Sequence, residues 1–178
     1  MRKLGGILQA YDTPPHYVEA LLREMRDQLV LAEGTYSFEP CNGRGAISRL
    51  LPAYVLTNDI NPRMKADFHF DATRQQEWRR MTRERGKPFW TITNPPFKHI
   101  IPILRCALAY SHNVAMLFRL SFLEPTKDRV ELLQDHPPDR LIVLPRYRFK
   151  GTGTDSVTCA WGIWDRSETG AIRVAERP

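Results

Sequence analysis

The chain has 178 residues, 42% of them hydrophobic and 26% charged, a balance typical of a single folded domain with a buried core. No stretch approaches the roughly 20 continuous apolar residues of a membrane span, and the first residues lack the apolar segment of a secretory signal. Three dispersed cysteines, Cys41, Cys106 and Cys159, match neither a disulfide framework nor a zinc site. The composition therefore predicts a cytoplasmic protein with no membrane partner.

The charge of the chain is positive, with 26 Lys and Arg against 20 Asp and Glu, for a formal net charge of +6. A basic surface suits a polyanionic partner such as nucleic acid, because side chains that neutralise phosphates release counterions. A basic surface without such a partner has the same composition, so charge alone leaves both interpretations open.

The predicted elements alternate between helix and strand. Apolar residues at spacings of three and four predict an amphipathic helix over residues 15–31. Helices are also predicted at 46–51, 74–85, 100–110 and 125–134, and strands at 35–39, 54–57, 68–71, 89–93, 113–120, 140–144 and 156–165. Strands separated by helices predict an α/β fold with a doubly wound, mostly parallel sheet, in which ligands bind beyond the carboxyl ends of the strands.

Polar residues lie at the ends of four predicted strands. Packing of a buried strand does not require a polar residue at its end, so the repetition indicates a ligand site. The four residues are Glu39, Asp59, Asp71 and Asn94.

A Gly-x-Gly turn, Gly43-Arg44-Gly45, follows the first of these strands. Such a turn lets the backbone approach a ligand and presents N–H groups to it, although a plain strand-to-helix turn has the same residues. The third glycine of a dinucleotide fingerprint would fall at Ser48, which disfavours NAD and favours a nucleoside ligand without a pyrophosphate.

The two acids that follow have two interpretations each. Asp59 can accept hydrogen bonds from both ribose hydroxyls of a nucleoside, or it can cap a helix ahead of Asn61. Asp71 is either a helix cap or an acceptor for an adenine amino group.

The segment Asn94-Pro95-Pro96-Phe97 carries the most specific chemistry. The prolines remove two backbone donors and keep Asn94 out of a helical conformation, so the Asn94 side chain and the Pro95 carbonyl can accept both hydrogens of one amino group. An amine conjugated to a ring is a poor nucleophile, and two such acceptors favour a pyramidal nitrogen whose lone pair faces an electrophile. Phe97 offers a face on which a planar base can stack. The alternative is a rigid turn that ends a strand.

This segment resembles the catalytic motif of the N6-adenine-type amino methyltransferases, and residues 39–45 resemble their cofactor motif. The order of the motifs, the acids between them and the front segment 11–15 also match, and residues 147–165 resemble the family's closing β hairpin. The chain is similar to small phage- or prophage-type DNA adenine methyltransferases. The resemblance implies a Rossmann-like class I methyltransferase sheet with a C-terminal β hairpin, and S-adenosylmethionine as the cofactor.

The resemblance also implies roles for individual residues. Asn94, Pro95, Pro96 and Phe97 would be catalytic. Gly43 and Gly45 would approach the methionine portion of the cofactor, Asp59 the ribose and Asp71 the adenine. The full set of implied cofactor-binding residues is Tyr11, Thr13, Glu39, Pro40, Asn42, Gly43, Gly45, Asp59, Ile60, Asp71 and Asn94.

The acceptor is predicted to be the N6 amino group of adenine in DNA. The motif specifies an amino group and also fits adenine in RNA or a protein glutamine amide, but glutamine enzymes more often have Tyr at the position of Phe97. A subunit that binds cofactor or nucleic acid without turnover is the non-enzymatic alternative. No metal is predicted, because the histidines show no metal-ligand spacing.

Residues 1–178 are predicted to form one methyltransferase domain with no separate target-recognition domain, so specificity would depend on loops, a specificity subunit or a homodimer. The loop 146–154 interleaves basic and aromatic residues, and Arg146, Arg148 and Lys150 are predicted to contact phosphates. A solvated hairpin tip is the alternative for this loop. The arginines of the helix at 74–85 are interpreted as a solvated face.

Overall fold

The computed structural model describes residues 12–145, 157–165 and, for the backbone alone, 171–174. Within these residues, seven strands form one sheet in the order β2-β1-β3-β4-β6-β5-β7. The strands are β1 (Ser37–Glu39), β2 (Val55–Thr57), β3 (Trp90–Thr93), β4 (Asn113–Arg119), β5 (Arg140–Val143), β6 (Cys159–Trp164) and β7 (Ala171–Val174). The helices are α1 (Pro15–Leu29), α2 (Gln75–Arg85), α3 (Ile100–Tyr110) and α4 (Lys127–Asp135), with short 3-10 helices at Phe97–His99 and Leu120–Leu123.

The sheet is mostly parallel, as the sequence predicts. Strand β1 pairs in parallel with both β2 and β3, β3 with β4, and β5 with β7. Strand β6 is antiparallel to both β4 and β5, so β5 and β6 form the predicted C-terminal hairpin, with its first arm at Arg140–Val143, ahead of the predicted start at 147. Strand β7, which extends the sheet beyond β5, is an addition to the predicted elements.

Helices cover both faces of the sheet, and alternate residues of β4 face opposite sides. Val114, Met116 and Phe118 pack with α2, α3 and α4, whereas Ala115 and Leu117 pack with α1. The indole N–H groups of two buried tryptophans also attach α1 to the sheet, one to the Tyr17 carbonyl at 2.8 Å and one to the Gln28 carbonyl at 3.0 Å. This double attachment fixes the start of α1, and with it Thr13, beside the sheet.

The helix predicted at 46–51 is wrong, because this segment is a series of turns. The Ser48 N–H donates to the Glu39 carboxylate at 2.9 Å, and the Ser48 hydroxyl donates to the Asn42 side chain at 2.7 Å. Two backbone hydrogen bonds follow, one from the Arg49 N–H to the Gly45 carbonyl, four residues back, and one from the Leu50 N–H to the Ile47 carbonyl, three residues back. Contacts to preceding loops therefore replace the regular helical ladder.

The strand predicted at 68–71 is also wrong, since it reduces to a single parallel bridge between Asn58 and Phe68. A strand needs backbone partners along its length, but the Phe70 N–H donates to the side-chain oxygen of Asn58 at 2.9 Å. The Asn58 side chain thus takes the place of the strand ladder and turns the chain toward Asp71.

The hairpin depends on a glycine at position 162. A Cβ built on Gly162 would lie 2.5 Å from Cε1 of Phe118 and 2.9 Å from the Trp164 ring. Both rings belong to the core on the α2–α4 side, so neither has room to withdraw.

We expect Gly162→Ala to destabilise the protein by about 1–3 kcal/mol, the usual range for overpacking a core. Chemical denaturation of the wild type, Gly162→Ala, Phe118→Leu and the double variant measures this cost. Because the smaller side chain makes room for the new methyl group, the two substitutions should be less than additive. Strict additivity would contradict the assigned contact.

Candidate active site

The carboxyl ends of three adjacent parallel strands bring the predicted polar residues to one edge of the sheet. Strand β1 lies between β2 and β3. Glu39 is the last residue of β1, Asp59 follows β2 by two residues, and Asn94 follows β3 directly. The sheet topology thus gathers three of the four residues that the sequence places at strand ends.

A fully buried asparagine, Asn58, joins the loops at this edge. Its side-chain NH2 donates to the Pro40 carbonyl at 2.9 Å and to the Phe70 carbonyl at 3.1 Å, and its side-chain oxygen accepts from the Phe70 N–H. Its backbone N–H donates to Glu39, and its carbonyl accepts from Asn42. One side chain therefore fixes the loops after β1 and β2 relative to the segment that leads to Asp71.

Asn58 is not among the site residues predicted from the sequence. The signal was an amide residue directly before the strand-end acid, but only the folded chain shows that this amide points inward.

The glycine turn is held by Asp59. The Gly43 N–H donates to one oxygen of the Asp59 carboxylate at 2.7 Å, and the Asn61 N–H donates to the other at 2.8 Å. Each oxygen keeps acceptor capacity, since an ionised carboxylate has about four lone-pair sites. The segment after Asp59 is a bend and not a helix, so Asp59 is not a helix cap.

The two glycines of the turn both have backbone angles that favour glycine. Gly43 has φ +53° and Gly45 has φ +75°. A Cβ built on Gly43 would meet no atom within 4 Å, whereas one on Gly45 would lie 3.2 Å from the Ser48 hydroxyl. The space beside Gly43 is open to a ligand, and Gly45 is needed for the packing of the turn.

Glu39 is buried at 1% exposure. Burial raises its pKa well above the ordinary value of 4.5, and the negative charge of Asp59 adds to the rise, although the hydrogen bonds from Ser48 oppose it. A cation bound at this edge would favour the charged form of Glu39.

Cys41 lies among the acids of the site. Burial raises the pKa of the Cys41 thiol to about 12, which excludes a thiolate nucleophile at neutral pH. Three carboxylates act in the same direction, those of Glu39, Asp59 and Asp71. Asp59 and Asp71 therefore place a negative potential at this edge, whereas Glu39 contributes little because its own raised pKa favours the neutral form.

Asp71 closes a turn ahead of α2. One of its oxygens accepts from the N–H of Thr73 at 3.0 Å and from the hydroxyl of Thr73 at 2.7 Å, and the other lies 3.4 Å from the Arg74 guanidinium. Burial acts to raise the pKa of Asp71, but the bonds from Thr73 and the charges of Arg74 and His99 outweigh it and lower the pKa. Asp71 is therefore an ionised acceptor whose side chain is one-third exposed.

The Asn94 amide is held by Thr13, from the front segment. Its NH2 donates to the Thr13 hydroxyl at 3.1 Å, across 81 residues of sequence. Thr13 is buried, and Asn94 is half-buried. Within the described part of the chain the Asn94 side-chain oxygen accepts no hydrogen bond, so this contact orients the amide and leaves its oxygen available.

Phe97, three residues after Asn94, has an exposed ring. Pro95 is buried, Pro96 is exposed, and Phe97 is 39% exposed. The Arg119 guanidinium lies over the Phe97 ring, 4.6 Å from its centre. Arg119 is not among the site residues predicted from the sequence, where its signal is a basic residue that ends the apolar run of β4.

The remaining predicted site residues either lie outside the described residues or make no contact that the site depends on. Tyr11, Arg146, Arg148 and Lys150 lie outside the described residues. Ile60 is 47% exposed and follows Asp59. Within residues 12–145, 157–165 and 171–174, no group of three or more His, Cys, Asp and Glu side chains is arranged to hold a metal ion, and no helix is long and apolar enough to cross a membrane.

No protein-family model and no curated protein sequence matches this chain. Its fold is similar to that of the methyltransferase subunit of a type I restriction-modification system from Streptococcus thermophilus, with a TM-score of 0.66 at 12% identity over 92% of this chain and 47% of that one. A putative RNA methyltransferase from Pyrococcus horikoshii has a TM-score of 0.59 at 17% identity over 88% and 84% of the two chains. Magnesium protoporphyrin IX methyltransferase from Synechocystis, solved with bound S-adenosylmethionine, has a TM-score of 0.51 at 11% identity over 84% and 78%.

At these identities the likeness shows the fold, and the predicted Rossmann-like methyltransferase fold with a C-terminal hairpin is confirmed. The chain spans about half the length of the restriction-modification subunit. The S-adenosylmethionine in the Synechocystis structure is a property of that protein, and the cofactor of this chain stays a prediction.

We expect Glu39→Gln to flatten the dependence of stability on pH. The raised pKa means that the folded state holds a proton on Glu39 more tightly than the unfolded state does. The stability that this proton contributes is fully present below the ordinary pKa of 4.5 and is lost as pH rises through the raised pKa. Gln keeps an acceptor for the Ser48 N–H without a charge to bury, so the variant should gain stability relative to the wild type above about pH 5. Thermal unfolding across a pH series measures this.

The matched control is Glu131→Gln, at a side chain that is 72% exposed. This control should follow the wild-type pH profile. Coincident profiles for Glu39→Gln and the wild type would contradict the assigned pKa direction.

Proposed function

We propose that this chain is an S-adenosylmethionine-dependent methyltransferase that transfers a methyl group to the N6 amino group of adenine in DNA. The single observation that carries the proposal is the Asn94 amide, held by Thr13 at 3.1 Å, directly after β3 and three residues before an exposed aromatic residue. An amide oriented in this way suits recognition of an NH2 group.

The chemistry of the strand-end residues fits the cofactor. S-adenosylmethionine carries a sulfonium and an ammonium, so the negative charges of Asp59 and Asp71, which add to the effect of burial on the pKa of Cys41, favour its binding. The remaining acceptor capacity of Asp59 suits the ribose hydroxyls, and Asp71 suits the adenine amino group. Open space beside Gly43 allows the backbone of the turn to lie against the methionine portion.

The catalytic contribution of the chain is orientation. When bound, S-adenosylmethionine would supply an electrophilic methyl group on its sulfonium. The leaving group is a neutral thioether, so it would need no protein acid. The Asn94 side-chain oxygen and the Pro95 carbonyl would accept the two amino hydrogens and direct the nitrogen lone pair at the methyl carbon. The bound cofactor would supply the methyl group and retain the sulfur electron pair, while Asn94 and Pro95 would hold the amine until one of its protons passes to solvent.

Phe97 would stack on the target base. A base inside a duplex cannot reach a strand-end site, so the base would be flipped out or taken from a single strand, at a cost of a few kcal/mol. Base stacking on an aromatic side chain is worth about 1–3 kcal/mol, which offsets much of this cost. The 39% exposure of the ring is consistent with this role.

DNA is the proposed substrate for two reasons. The chain has a net charge of +6, which favours a polyanion. Its fold is also similar to that of a restriction-modification methyltransferase subunit. We further propose that residues 1–178 act as one methyltransferase domain in the cytoplasm, and that a specificity subunit or a second copy of the chain contributes to target choice.

We expect Asn94→Ala to lower methyl transfer by about 100-fold or more while cofactor binding stays close to wild type, because the lost contact acts on the acceptor amine. Labelled cofactor is incubated with DNA, RNA and protein in parallel, and the products are digested to nucleosides or amino acids. Calorimetry measures cofactor binding separately.

The matched control for Asn94→Ala is Asn113→Ala, at the amino end of β4, where the amide donates to the Phe89 carbonyl. Equal transfer by Asn94→Ala and this control would contradict the proposed role of Asn94. Label found in RNA or in glutamine alone would reassign the substrate.

We expect Thr13→Val to lower kcat about tenfold, since the isosteric side chain keeps its packing but frees the Asn94 amide to rotate, and a hydrogen bond contributes about 1 kcal/mol. Thr13→Ser should restore most of the loss. Steady-state kinetics with saturating cofactor measures both variants. An unchanged kcat in Thr13→Val would show that the amide needs no such partner.

A further inference from the structure

We propose that Arg119 binds the phosphate of the target nucleotide and so places the base on the Phe97 ring. This inference rests on the proposed function, because it assigns a role toward the same nucleic-acid substrate. It concerns a residue beyond the strand-end acids and the Asn94–Phe97 segment.

The sheet topology places Arg119 at the edge that carries the active site. Strand β4 pairs in parallel with β3, with Met116 opposite Thr93, so the carboxyl end of β4 lies beside the segment that begins at Asn94. Arg119 is the last residue of β4 and is exposed, after five consecutive buried residues. Among these six residues, only the terminal one presents a charged group to a ligand.

The guanidinium of Arg119 is available for a ligand. Within residues 12–145 and 157–165 it makes neither an ion pair nor a hydrogen bond, and its contact is with the face of the Phe97 ring at 4.6 Å. A guanidinium that contacts a ring through its π face keeps the N–H groups of its edge free to donate. That fork matches two oxygens of a phosphate.

A second arginine that contacts an aromatic ring, Arg129, serves as a comparison because its guanidinium has a structural role. Arg129 lies over the Phe122 ring at 5.6 Å, but its guanidinium also donates to the Ser121 carbonyl at 2.7 Å. Arg129 thereby attaches α4 to the short 3-10 helix after β4. Among the residues that the structure describes, Arg119 makes its contact to the Phe97 ring without such a hydrogen bond.

A nucleotide can contact both groups at once. Its base and its phosphate are separated by one sugar, and the Arg119 guanidinium and the Phe97 ring are neighbours. A phosphate held by Arg119 would therefore limit the positions of the attached base to those close to Phe97 and Asn94. Arg119 would act as a positioning residue for the base as well as a contact to the backbone.

The experiment compares the wild type with Arg119→Ala, Arg119→Lys and the matched control Arg129→Ala. Binding of a labelled adenine-containing oligonucleotide is measured by fluorescence anisotropy over a series of salt concentrations. We expect Arg119→Ala to weaken binding and to reduce the slope of log Kd against log salt by about 0.7–0.9, the contribution of one phosphate contact. Arg129→Ala and Arg119→Lys should keep the wild-type slope, and Arg119→Lys should lower kcat/KM because it lacks the planar fork.

A second oligonucleotide replaces the phosphates next to the target adenine by neutral methylphosphonates. If Arg119 binds one of these phosphates, this change should remove the difference between the wild type and Arg119→Ala. Equal salt slopes for Arg119→Ala and Arg129→Ala would overturn the inference while leaving the proposed function intact, provided that the wild type methylates the oligonucleotide. Tighter binding by Arg119→Ala would overturn it as well, and a wild type that binds no oligonucleotide would overturn both.

Discussion

The candidate site depends on the hydrogen bonds of one buried amide, that of Asn58. Three loops meet at the carboxyl ends of β1 and β2, and each has backbone groups that no strand partner satisfies. Asn58 supplies donors to Pro40 and Phe70 and an acceptor to Phe70, while its own backbone pairs with Glu39 and Asn42. Because an unpaired buried polar group costs about 1–3 kcal/mol, this arrangement is rigid, and the acids around it hold fixed positions.

The negative potential of the edge follows from that rigidity. Asp71 keeps its charge through Thr73 and Arg74, and both Asp59 and Asp71 add to the effect of burial on the pKa of Cys41, whereas Glu39 keeps a proton because burial raises its pKa. Acids held close together without a cation destabilise one another, so the arrangement favours a positively charged ligand. On the other side of β1, the segment after β3 carries acceptors and an aromatic ring in place of acids. The edge thus combines a region suited to a cationic methyl donor with a region suited to a planar amine.

The sequence was sufficient for elements whose cause is local. Apolar spacing predicts α1 and α3, and the prolines after Asn94 mark the end of β3. Elements that depend on distant contacts could not be predicted in this way. In the segment 46–51 the Ser48 N–H donates to the Glu39 carboxylate instead of to a helical partner. In the segment 68–71 the Phe70 N–H donates to the Asn58 side chain instead of to a neighbouring strand. Arg119 was missed for the same reason, since its position beside Phe97 requires the pairing of β4 with β3.

The central claim, that this edge transfers a methyl group to an exocyclic amine, is tested most directly by the position of the label in the product. The protein is incubated with S-adenosylmethionine that carries a trideuterated methyl group and with one of two oligonucleotides. These are identical except that one contains adenine and the other contains purine without its 6-amino group. Mass spectrometry of the nucleosides should find the label on N6 of adenine and none on purine. Equal labelling of both oligonucleotides, or label on a ring nitrogen, would contradict the account.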